Sequence, residues 1–299
     1  MSAIKNVTLV GASGTIGFFV LEKLLASDKF NVQVLKRAGS SSTYLAGAKV
    51  VEADFADLES LKVAFQGQDA VVSAVSDTAI HSQKLMIDAA IATGVKRFIP
   101  SNFGSNVTNP NARKLPVFAQ KVEIEDYLIE KSKATQLTYS FMNTGGFTEY
   151  GIRNQIVMDF SKYQPVIFYD GETQFSTTSM PSIGDAVVGV LTHPMETRNR
   201  PVYVSENFIS QNLLLSLAEK IAPTKLWNPV HGDLDALLEA SKERFAQGHH
   251  DLETMLPMLL KSILDPEFGA KFSENDNELL GIKPKTEDFL IELLTPLLN

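Results

Sequence analysis

The sequence predicts an α/β fold: a doubly wound parallel sheet with helices on both faces, followed by a smaller, mostly helical region. Three observations predict it. Short apolar runs alternate with segments of helical periodicity through the first half, a glycine-spaced turn closes the first run, and the rhythm changes after about residue 145.

Taken in order, the strand runs are VTLVG (7–11), NVQVLK (31–36), AKVVEA (48–53), DAVVSAV (69–75), KRFIPS (96–101) and LTYSFM (137–142). Between them, TIGFFVLEKLLAS, LESLKVAF, HSQKLMIDAAIATG and FAQKVEIEDYLIEKS carry apolar residues at helical spacing. Beyond residue 145 come a glycine-containing stretch, the strand-like PVIFYD, and the long helical patterns QNLLLSLAEKIA and LETMLPMLLKSIL. The chain therefore divides into residues 1–145, expected to carry the sheet, and 146–299. The second region is expected to interleave partly with the sheet and to pack over its carboxyl edge, where open α/β sheets bind ligands.

Composition narrows the function. The chain has 299 residues, 44% hydrophobic and 21% charged, which is ordinary for a globular protein with a sizeable core. Acidic residues outnumber Lys and Arg by 35 to 27 and the basic ones are scattered, so nucleic acid is not an expected ligand. The absence of cysteine removes disulfides, thiolate nucleophiles and Cys-metal sites. No run has the length of a membrane span and the start lacks the pattern of a secretory signal, so the expectation is a cytoplasmic protein that does not engage membranes.

The stretch VTLVGASGTIG places Gly11, Gly14 and Gly17 three apart at the end of the first strand run. The first glycine permits a tight turn, the middle one removes a side chain that would block a pyrophosphate, and the last lets helix and sheet pack closely. A helix opening near Thr15 then points free N–H groups at phosphates. Ser13, Thr15 and Ile16 join the three glycines as cofactor-binding candidates, and the context of strand, turn and helix is the one the Rossmann dinucleotide fingerprint requires. The second strand run ends in Lys36 and Arg37, with Arg37 twenty residues past Gly17. An NAD site would place an acid here for the ribose 2′-hydroxyl, so a guanidinium points to the 2′-phosphate of NADP(H).

In VFAQKVEIEDYLIEK, a helical projection from Val117 gathers Val117, Phe118, Val122, Ile124, Leu128 and Ile129 on one arc, and Lys121 falls inside it. An ammonium in an apolar stripe either snorkels outward or is desolvated for use. Desolvation lowers a lysine pKa, so Lys121 is the candidate general acid/base. Tyr127 and Lys131 reproduce the Y-x-x-x-K spacing of ordinary short-chain dehydrogenases, but Lys114 stands where their serine would be, and the pair is read as coincidental.

GASGTIG, Arg37, DFADLESL (54–61), AAIATGVKRFIPSNFGS (89–105), Lys121 and LTYSFMNTGGF (137–147) together resemble the isoflavone-reductase-like, NmrA-like branch of atypical short-chain dehydrogenases/reductases. The similarity runs over roughly residues 5–190. It implies a Rossmann, NAD(P)-binding fold with NADPH as cofactor and a single catalytic lysine, matched by Lys121, which is also expected to contact the cofactor. It further implies that Asp54 and Phe55 lie on the adenine side, that Ser73, Ala74 and Val75 pass near the cofactor, and that Asn102 lines the nicotinamide end. Phe103, Asn143 and Phe147 match positions that face the substrate. Where plant members often read S-E-F-G, this chain reads Ser101-Asn102-Phe103-Gly104, so substrate identity does not transfer with the motif.

Other signals are weaker. His249 and His250 are adjacent, would face different sides of a helix, and have no second cluster at ligand spacing, so no metal site is expected. GETQFSTTSM is read as a strand and turn, since it lacks a nucleophile elbow. LETMLPMLL reads as core, as a substrate wall or as an oligomer surface, and a homodimer is one assembly it would allow. The expected function is NADPH-dependent reduction of a small aromatic or conjugated metabolite. Two alternatives stand beside it: a non-catalytic NADP(H)-sensing regulator, and an isomerase or dehydratase using the same pocket.

Overall fold

A computed structural model of the chain describes residues 3–298. The first half runs β1 (Asn6–Val10), α1 (Thr15–Ala26), β2 (Asn31–Arg37), β3 (Lys49–Ala53), α2 (Leu58–Phe65), β4 (Ala70–Ser73), α3 (Ser82–Ala92), β5 (Arg97–Ile99), α4 (Ala119–Ala134) and β6 (Thr138–Asn143). The second continues with β7 (Gly146–Phe147), α5 (Thr148–Arg153), β8 (Val166–Phe168), β9 (Phe175–Thr178), α6 (Met180–Thr192), β10 (Arg200–Tyr203), β11 (Asn207–Ile209) and α7 (Gln211–Ile221). It closes with β12 (Val230–Gly232), α8 (Leu234–Ala246), α9 (Leu252–Leu264), α10 (Asn277–Leu280) and α11 (Glu287–Leu298).

A seven-stranded sheet in the order β10-β6-β5-β4-β1-β2-β3 forms the centre, and every pairing in it is parallel. Six of these strands are the six apolar runs of the first half. They read as near-continuous apolar stretches because both faces are covered. Val7 and Leu9 of β1 pack into the layer containing α1 and α6, whereas Val10 joins Leu35, Val71 and Phe65 in the layer of α2, α3 and α4. Leu9 is fully buried, a burial that contributes roughly 2 kcal/mol. The strand order reverses between β1 and β4, which opens a crevice at their carboxyl ends.

The seventh strand was not legible in the sequence. β10 reads RPVY, and a proline interrupts the donor row of any strand. It is accommodated because β10 lies at the sheet edge, paired only with β6. Helix α6 also returns to the sheet, packing across α1. The remaining second-half elements form a three-stranded sheet (β11-β9-β7), a two-stranded one (β12-β8) and a helical cluster with its own core around Phe160, Phe175, Leu217 and Leu294. GETQFSTTSM contains a turn followed by β9, and LETMLPMLL lies in α9.

Two sequence expectations need correction. Helix α4 begins at Ala119, so Val117 and Phe118 belong to a preceding 3-10 turn, 116–118, opened by Pro116. The projection from Val117 thus starts before the helix does. His249 and His250 lie not on a helix but in the exposed link between α8 and α9, because Gly248, at φ +90°, ends α8. Among the described residues no group of acidic or histidine side chains could hold a metal, and no helix is long and apolar enough to cross a membrane.

Candidate active site

The β1–α1 turn is built by close backbone approach. Gly11 adopts φ +82°, and a Cβ there would stand 2.3 Å from the Ala74 carbonyl oxygen; a Cβ on Gly17 would stand 2.0 Å from the Gly11 carbonyl oxygen. Packing therefore demands these two glycines. Gly14 is less crowded: a Cβ would meet the Gly11 oxygen at 3.3 Å, a tight contact relieved by a shift of a few tenths of an ångström rather than an outright overlap. What Gly14 preserves is open space over the N-terminus of α1. That terminus has no side-chain cap and no acid in its first turn, which leaves amide N–H groups for an anion. The crevice residues thus fit a dinucleotide diphosphate.

Along the crevice, the Ala74 N–H donates to the Val10 carbonyl at 2.8 Å, tying the tip of β4 to β1. Ser73 beside it keeps a buried hydroxyl without a partner. Arg37 is exposed at the end of β2 and makes no ion pair among the described residues, whereas the Lys36 ammonium lies 2.6 Å from Glu52. Asp54 accepts the Ala56 N–H at 2.9 Å, shaping the turn after β3, and Phe55 is half-buried beside it.

Beyond the crevice lies a cavity of about 490 Å³ whose wall includes Thr15 from α1, Phe103 and Ser105 from the loop after β5, Lys121, Phe147, and Thr148 and Ile152 of α5. Phe175 and Thr177 of β9 face it, and α9 closes it with Leu252, Met255, Leu259 and Ile263. Those four positions fall on one side of the helix, so this stretch serves as cavity wall, and as core through the buried Met258 and Leu260. Among the described residues Lys121 is the sole basic one in the wall, and Asp77, at an exposed position, the sole acidic one.

Lys121 is half-buried, and its Nζ donates to the Phe103 carbonyl at 3.4 Å. Desolvation holds its ammonium below the usual lysine range, while the Asp77 and Glu125 carboxylates pull the other way. Glu125 lies one turn further along α4 and is 1% exposed. Burial pushes its carboxyl up to about 7, against the opposing influence of Arg113. Asn102 Nδ2 donates to its Oε1, and Arg113 Nη1 donates to Oε2 at 3.0 Å. The acid that the S-N-F-G loop lacks is thus supplied to it from α4.

The structure brings Thr15, Phe103, Lys121 and Phe147 to one cavity. Asn143 does not reach the wall: it is fully buried at the end of β6, with both side-chain polar atoms unpartnered. Asn102 lies behind the wall, its Oδ1 also unpartnered. Tyr127 and Lys131 both engage Asp88 of α3, at 2.7 and 3.1 Å, off the cavity, which accounts for their spacing without catalysis. Sequence reasoning missed Glu125 and left the α9 face as one of three readings. The signal for Glu125 was present in its spacing of four residues from Lys121, on the same helical arc.

The profile of the NmrA-like family matches residues 3–228. The oxidoreductase aprR of Aspergillus flavus is 32% identical over 294 residues, covering 96% of this chain and 97% of that protein. The phenylcoumaran benzylic ether reductase Betv6 of Betula pendula is 26% identical, covering 74% of this chain and 75% of its own. Among solved structures, AtPrR2 with NADP+ and (+)pinoresinol superposes with a TM-score of 0.78 at 21% identity, over 98% of this chain and 99% of that one. That likeness shows the shared fold.

Proposed function

The chain belongs to the NmrA-like family, and from that premise we propose that it is an NADP-dependent oxidoreductase that reduces a small aromatic or conjugated metabolite. The reading rests on one observation: a desolvated lysine stands in the wall of an apolar cavity that meets the phosphate-facing end of α1 at Thr15. Names borne by relatives support it, from the oxidoreductase of Aspergillus flavus to the birch benzylic ether reductase.

Residues 1–145 hold the cofactor in this reading, and 146–299 supply most of the substrate wall. The α1 amides and the space above Gly14 would receive the diphosphate, Arg37 the 2′-phosphate, and Ser73 to Val75 the adjoining ribose. When bound, NADPH supplies a hydride to an electrophilic carbon of the substrate. Phe103 and Phe147 hold the substrate's apolar body and keep water from the reacting carbon. Lys121 Nζ gives or takes the accompanying proton, a transfer that desolvation eases by holding the ammonium below the usual lysine range.

The test is oxidation of NADPH in the presence of quinone methides, enones and aryl ketones, followed by the absorbance of the reduced nicotinamide. Turnover in K121A should fall by about a hundredfold or more, with NADPH affinity within about threefold of the native protein. NADPH binding without oxidation of any acceptor would overturn the reductase reading in favour of a sensor.

A further inference from the structure

Glu125 is a buried carboxyl to which the proposed reaction gives no task. Burial of a carboxylate is costly unless its oxygens are occupied, and here both are. Asn102 Nδ2 donates to one and Arg113 Nη1 to the other at 3.0 Å. The outward part of Arg113 is engaged separately, its Nη2 reaching Asp126 at 2.6 Å. The Asn102 contact is therefore the distinctive one, because it links helix α4 to the loop 101–104.

That loop is held at its two ends. Ser101 Oγ donates to the Val75 carbonyl at 2.8 Å, and the Gly104 carbonyl accepts the N–H groups of Thr144 and Gly145 at 3.1 and 3.0 Å. Between those ends Phe103 contributes to the cavity wall, and its carbonyl accepts from Lys121 Nζ. Helix α4 thus grips the middle of the loop with two side chains one turn apart, Lys121 at the Phe103 carbonyl and Glu125 at the Asn102 amide.

We propose that Glu125 is a positioning residue: by holding the Asn102 carboxamide it fixes the loop 101–104, and with it the Phe103 carbonyl against which Lys121 is oriented. Its kinetic readout rests on the reductase reading; its chemical readout does not.

The experiment compares E125A, E125Q and R113A. Glutamine keeps a carbonyl oxygen for Asn102 while removing the charge, and R113A removes the ion pair while leaving the Asn102 contact. In E125A, kcat should fall by about tenfold or more with KM for NADPH within about twofold, whereas E125Q and R113A should stay within about threefold of the native kcat. The second readout is the rate at which trinitrobenzenesulfonate labels Lys121 in the cofactor-free protein, measured by peptide mass spectrometry. It should change severalfold in E125A and little in the other two. Equal loss in all three variants would reduce Glu125 to half of a structural ion pair, and an E125A protein with native kcat and native labelling would remove its role altogether. If the native protein oxidises no NADPH, the reductase reading fails, and labelling alone decides for or against Glu125.

Discussion

At the β1–α1 turn the surface offered to a ligand is backbone: amide groups at the start of α1, and glycines whose missing side chains leave room. At the far end of the cavity it is side chain, contributed by Ile152, Phe175, Met255 and Leu259 from three elements distant in sequence. α9 lies beyond the span that the family profile matches. A backbone site is specified by local spacing and tolerates almost no change where chains touch. A side-chain wall is specified by which elements meet, and single residues in it can vary in size while the fold persists.

The largest effect should come from the turn itself. G17A forces a Cβ to within 2.0 Å of the Gly11 oxygen and should cost roughly 3–5 kcal/mol in urea unfolding. G14A should destabilise far less than G17A and lose about tenfold or more in NADPH affinity, because the added methyl, 3.3 Å from the Gly11 oxygen, needs only a small shift but occupies the face over α1. A G14A protein as unstable as G17A would erase the distinction between a glycine kept for packing and one kept for a ligand.

Glu125, buried against Asn102 behind the cavity wall, provides the next effect. Its carboxyl is raised in the folded protein from 4.5 to about 7, so the native state binds that proton more tightly than the unfolded chain does. The stability this contributes is fully present below about pH 4.5 and is lost as pH rises through about 7, a change of roughly 3 kcal/mol. E125Q does not titrate, so its melting temperature should gain on that of the native protein across this window. A gap that stays constant with pH would show the carboxyl to be normally ionised.

The smallest effects should cross over between the regions. R37A should weaken NADPH by about tenfold to a hundredfold with little change for NADH, the loss of one charge-assisted contact. M255A should alter kcat/KM for the organic substrate by about tenfold while leaving NADPH affinity within about twofold. If M255A changed cofactor affinity instead, α9 would belong to the crevice rather than to the cavity.

How much could be read in advance follows the same division. The six first-half strands, the glycine turn and the candidacy of Lys121 come from periodicity and spacing, because each depends on residues close in sequence. β10 escaped notice since four residues with a proline resemble a loop until a partner edge is present. Tyr127 and Lys131 show the converse: their spacing matches a catalytic pair, yet Asp88 from another helix gives them a packing role.

By itself the sequence determined the doubly wound sheet and the turn that opens α1, and it singled out Lys121 as a candidate. These are matters of backbone geometry and helical phase, written within a dozen or so residues. Only the tertiary structure decided that Glu125 lies buried against Asn102, that Asn143 is sealed away from the cavity, and that one face of α9 closes it. Burial and partnership belong to pairs of elements, and no stretch of chain carries the environment that another will give it.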